Sequence, residues 1–287
     1  MLAVLLTVPL IGLAVLLAAP SVDGHWEHQP SHFWLVLVAA AVPALLGWAM
    51  GAAARRRNDA RLFLVSLAFF AAAAFLALHA LATPKVLLDA SNAGFVVAVP
   101  IGLLLASALA VWSAIDLDTG TRGRTVMARA PVLRYGLLTV VGVWALWSLT
   151  SVWPLDEPNP PESGSAFMVA VALPGVALYA IAAARYFALA RSRRSTLLVA
   201  IGCAWVLLGE AMLAVAWARN WRASWWEWHL LMLLAFGAIA WAVRRLPETE
   251  RFSELYLDDV AAGTREVSIL FADLQGFTSF SETHAPG

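Results

Sequence analysis

Near its C-terminus the chain reads VSILFADLQGFTSFSE, Val267 to Glu282. Val267–Ala272 is apolar on both faces and rich in β-formers, the texture of a fully buried strand. Asp273 follows at the C-terminal end of that strand, where an acid in an α/β sheet faces the crevice that takes ligands. Gly276 permits a tight turn with the backbone close to a ligand. Thr278 and Ser279 then open a helix, with Ser279 and Glu282 at the spacing of a capping box. The free amides of a helix start suit a phosphate. Strand, acid, glycine turn and helix start together describe a corner for a metal ion and a triphosphate. A capped turn with a solvated acid has the same pattern, and spacing alone leaves both readings open.

Other candidates lie in apolar surroundings. Glu210, in LLGEAMLAV, is an acid well inside a hydrophobic run, a place where charge is expensive and residues often carry function. It reads either as a proton- or ligand-sensitive switch or as a protonated acid bonded to a neighbouring helix. His79 stands near the end of another run. Taken as the lone mid-span histidine, it has no second axial partner for haem, and haem is not expected. Gly47 and Gly51 form a G-x-x-x-G that lets helices approach closely, within one chain or between two. Trp225, Trp226 and Trp228 cluster where the last run begins and read as interfacial anchors. Cys203, the only cysteine, reads as a small buried hydrophobe and excludes an intramolecular disulfide.

The elements that must position these residues are membrane helices. Of 287 residues 61% are hydrophobic and 13% charged, against about 25% charged in soluble domains. The formal charge is zero, so no global field steers the chain toward nucleic acid. Eight runs approach the roughly 20 apolar residues of a membrane helix: Leu2–Ala19, His32–Ala53, Leu62–Ala82, Gly94–Ile115, Tyr135–Val152, Ala166–Ala184, Thr196–Trp217 and Trp225–Val243. Leu2–Ala19 lacks a basic n-region and is expected to be a retained helix rather than a cleaved signal.

Sixteen of the 19 cations follow the second, fourth, sixth and eighth runs; Lys85, Arg219 and Arg222 fall on the other side. Positive loops stay cytoplasmic, so both termini are expected inside. Asp116 and Asp118, at the end of the fourth run, read as solvated. With no chain of mid-membrane acids and no matching halves with broken helices, a transporter is disfavoured.

After Val243 the composition changes abruptly. Pro247 stops the last run. Phe252, Leu255, Tyr256, Asp259 and Val260 recur at helical spacing, and Gly263 is placed to cap a short amphipathic connector. The expected organisation is a membrane domain over 1–243, a connector over 244–264 and the start of a further domain over 265–287.

The C-terminal residues carry a resemblance. VSILFADLQGFTSFSE resembles the opening of the catalytic domain of class III nucleotide cyclases, whose first strand reads F-A-D-(I/L)-x-G-F-T. Phe271, Ala272, Asp273, Gly276, Phe277 and Thr278 all fit, and RFSELYLDDV…TREV resembles the transducing segment that precedes that domain. Multi-span anchors ahead of it are usual in bacterial members, which implies a bacterial inner membrane. The implied fold class is an all-α polytopic bundle followed by the truncated start of an α/β, ferredoxin-like domain.

By this resemblance Asp273 is the first of two metal-holding aspartates, and the Leu274 backbone adds a ligand to a two-metal Mg2+ or Mn2+ site. Gly276, Phe277 and Thr278 take the triphosphate. The implied reaction is ATP, or GTP, to the cyclic nucleotide and pyrophosphate, at a site shared by two chains of a homodimer. The second metal acid, the base-reading pair and the transition-state groups would all follow Gly287, so the chain as it stands is expected to be inactive. A diguanylate cyclase fits less well: Thr278 follows Phe277 where that family has Lys. A membrane receptor or transporter-like protein with an accidental tail is the rival from another class.

Overall fold

The computed structural model of the chain describes residues 2–89, 92–115, 117, 121–150, 152–153, 163–246 and 252–256. Its helices are α1 (Leu2–Ala18), α2 (Gln29–Arg57), α3 (Ala60–Leu81), α4 (Ala93–Ala114), α5 (Thr121–Ala128), α6 (Ala130–Leu149), α7 (Ala166–Arg193), α8 (Thr196–Trp217) and α9 (Ala223–Arg244). All but α1 and α5 are long and apolar enough to cross a membrane, seven among the described residues. In lipid a helix satisfies its own backbone, which is why such apolar sequence takes this form.

The first amide groups of a helix have no partner within it. Here side chains supply them. Asp59 accepts from Leu62 N, Asn92 from Phe95 N, Ser165 from Met168 N and Ser195 from Leu198 N. His28 does the same for α2 through Nδ1 and the Ser31 amide. Helix ends therefore follow caps rather than the edge of hydrophobicity. Two of the eight runs grow most: α2 continues to Arg57 and α7 to Arg193, each ending at a residue in the left-handed region, Asn58 (φ 54°) and Arg194 (φ 50°). The first run gives only the 17-residue α1. The loop expected after the fourth run contains α5.

Six helices close a ring in the order α2, α3, α4, α7, α8, α9, with α9 returning to α2. Helix α1 packs on α8 and α9, and α6 lies outside against α3 and α4. Helices α3 and α8 are the most enclosed. Across the middle, Phe69 of α3 meets Trp205 of α8 and Phe236 of α9 edge-on, at 5.7 and 5.2 Å between ring centres. The G-x-x-x-G works within the chain: a Cβ at Gly47 would stand 3.1 Å from the Ser66 carbonyl oxygen, and one at Gly51 3.3 Å from Ser66 Oγ. These glycines set the closeness of α2 and α3.

Of the expected connector helix, the described part is one 3-10 turn, Ser253–Leu255. Phe252, Leu255 and Tyr256 are buried against the bundle. The rest of the connector and the expected α/β start at 265–287 lie outside the described residues; among the described residues there is no strand.

Candidate metal centre

At the end of the bundle opposite the arginine clusters, the loop before α2 is stitched to the loop before α9. Asp23 accepts from both the amide and the hydroxyl of Ser224, at 2.9 and 3.0 Å. Arg222 donates to the Asp23 carbonyl at 2.8 Å. The Trp26 amide donates to the Trp221 carbonyl at 2.8 Å, and the Trp226 indole donates to the Trp26 carbonyl at 3.1 Å. This stitching sets the first turns of α2 and α9 side by side. The last turn of α3 arrives between them because α3 runs back along α2.

Three histidines meet there: His32 from α2, His79 from α3 and His229 from α9. All are buried. His32 Nε2 lies 3.2 Å from His229 Nε2 and 3.2 Å from His79 Nε2. One ring nitrogen from each falls within 4.8 Å of the others.

The opposite ring nitrogens are all engaged. His79 Nδ1 is 2.7 Å from the Phe95 carbonyl oxygen, and His229 Nδ1 is 3.2 Å from the Trp225 carbonyl oxygen. A carbonyl can only accept, so both Nδ1 atoms carry the hydrogen. In neutral imidazoles that leaves both Nε2 atoms as bare lone pairs aimed at His32. His32 Nδ1 meets the Thr83 hydroxyl at 3.0 Å, a group that either donates or accepts.

The surroundings are aromatic. Phe95, held at the start of α4 by the Asn92 cap, stacks on His79 at 4.2 Å between ring centres. Trp228 stacks on His229, and Trp225 lies 5.0 Å from His32. The anchor reading of the tryptophans is thereby corrected: Trp225 and Trp228 are 5% and 2% exposed and face inward. An indole that wants one wet edge and one dry face fits a polar cluster inside a bundle as well as a lipid headgroup. A cavity of about 20 Å3 adjoins His79, lined also by Ser163 and Asn220, with room for about one water.

The reading of His79 as a lone histidine is corrected as well. His32 marked the edge of its apolar run, and His229 sat among tryptophans that already had an explanation. The missed signal was positional: alternating spans bring the start of α2, the end of α3 and the start of α9 to one end of the molecule.

Glu210 is buried in α8, and its Oε2 has no hydrogen-bond partner. Glu227 of α9 is close enough to interact with it electrostatically and also carries an unpartnered Oε2. Cys203 is buried and free, as expected. Asp273, Leu274, Gly276, Phe277 and Thr278 lie outside the described residues.

No family model, curated protein or solved structure matches the chain.

Proposed function

We propose that the chain is the membrane-embedded N-terminal part of a class III nucleotide cyclase. It would sit in a bacterial inner membrane with its C-terminus in the cytoplasm and serve conversion of ATP to cyclic AMP and pyrophosphate. The observation that carries this reading is the run FADLQGFT, Phe271–Thr278. By the resemblance, the Asp273 carboxylate and the Leu274 carbonyl would serve the cations of the nucleotide, and the backbone of Gly276, Phe277 and Thr278 the triphosphate. Mg2+ or Mn2+ would supply charge neutralisation at the phosphates and activation of the attacking hydroxyl.

The connector supports the same reading. Arg193 and Arg61 both donate to the Tyr256 carbonyl, so the residues beyond start from the arginine-rich end. By the positive-inside rule that end faces the cytosol, where nucleotides are.

The test is a cyclase assay on membranes carrying the reading frame continued past Gly287. Cyclic AMP should form with Mn2+–ATP, and Asp273→Ala should lower the rate by about 100-fold or more. An undiminished rate in that variant, or a continued frame without a second metal acid, overturns the reading.

A further inference from the structure

We infer that His32, His79 and His229 form a binding site for a transition-metal ion of the zinc type, which joins α2, α3 and α9 at the end opposite the arginines. The site is independent of the nucleotide chemistry proposed above, which uses a different part of the chain and harder cations.

The spacing fits. A tetrahedral zinc ion sits about 2.0–2.1 Å from each imidazole nitrogen, which sets ligand nitrogens about 3.3–3.4 Å apart. Both nitrogen pairs involving His32 are 3.2 Å apart, and the third pair, His79 to His229, lies within 4.8 Å and would close toward that spacing around an ion. Imidazole is a ligand type that suits zinc and its first-row neighbours.

The hydrogen-bond pattern fits as well. Metal-bound histidines give their other ring hydrogen to a carbonyl, carboxylate or water, which fixes the tautomer and the ring. His79 and His229 each give Nδ1–H to a backbone carbonyl. Their two lone pairs converge on His32 Nε2. One hydrogen on that atom cannot serve both acceptors well, whereas one cation serves all three nitrogens. To receive the cation His32 moves its hydrogen to Nδ1, and the Thr83 hydroxyl turns from donor to acceptor. No net proton leaves the three neutral rings.

A cation here lacks a carboxylate ligand. Indole faces offset part of that charge, with Trp225 and Trp228 packed on the rings. A non-protein ligand such as water would complete four-coordination.

The experiment uses the full chain, purified in detergent and stripped with chelator. Zn2+ is titrated with metal content read by mass spectrometry, and Co2+ is added separately. About one equivalent of Zn2+ should bind, and Co2+ should give the intense visible bands of a tetrahedral nitrogen site. His79→Ala and His229→Gln should each weaken Zn2+ binding by more than the roughly 100-fold that losing an outer-shell partner can cost. The variant His25→Ala changes an exposed histidine of the nearby loop and should bind as the parent does. The Co2+ spectrum on the unaltered chain keeps the inference open to refutation if the variants misfold. Absence of stoichiometric metal, octahedral Co2+, or loss of binding in the His25 variant would each overturn it.

Discussion

The two ends of the helix ring close themselves with opposite chemistry. At one end neutral imidazoles and indoles pack into a dry cluster, and a single acid, Asp23, hooks two loops together. At the other, guanidinium groups reach for a backbone oxygen at Tyr256 and line a cavity of about 270 Å3 with Arg61, Arg185, Tyr186 and Ser192. Nitrogen is the working atom at both ends. Imidazole nitrogen can offer a lone pair and stay uncharged, so it can be buried among tryptophans. Guanidinium has no lone pair to offer and keeps its charge. The first end can therefore hold a cation, and the second can hold carbonyls or anions.

This contrast can be broken from either side. The largest effect is expected from Asp23→Ala, which strips two hydrogen bonds from a charged group at the start of α9. It should cost about 2–3 kcal/mol and separate His229 from His32. Thermal unfolding in detergent, together with Zn2+ affinity, reports it; an unchanged affinity would show that the loops do not position the histidines. Next is Thr83→Val, which removes the partner of His32 Nδ1 and should weaken Zn2+ binding about 10- to 100-fold, with a loss of about 1 kcal/mol of stability because a buried ring nitrogen is left unpartnered. The double variant Arg61→Ala, Arg193→Ala should cost about 1–2 kcal/mol locally, seen as faster proteolysis between α9 and Tyr256, with Zn2+ affinity untouched. Coupled loss of metal binding would mean that the two ends are not separate devices. The smallest effect belongs to Leu146→Ala on α6, a residue 67% exposed; stability should move by less than about 0.5 kcal/mol.

Much of the architecture could be read from the sequence because lipid leaves few choices. Long apolar runs became helices, and Asp59, Asn92, Ser165 and Ser195 stand at their starts. The close approach at Gly47 and Gly51 was also readable, though only packing showed that the partner is α3. The site was harder to see. Each histidine has an ordinary local explanation, and their meeting depends on the relative ends of three helices separated by up to 197 positions. Tryptophan added ambiguity, since a membrane interface and a buried polar cluster draw the same side chain. At the C-terminus the position is reversed. There the local motif is specific, and its residues lie outside those the structure describes.

The chain leaves the bundle from α9, yet Tyr256 is gripped by α3 and α7, with Arg57 of α2 placed 5.6 Å from its ring. Its exit is thus steered by helices from elsewhere in the ring rather than by the one it grows from. A twist of α9 alone would leave both arginine contacts to Tyr256 in place. A widening between α3 and α7 would pull directly on whatever hangs below.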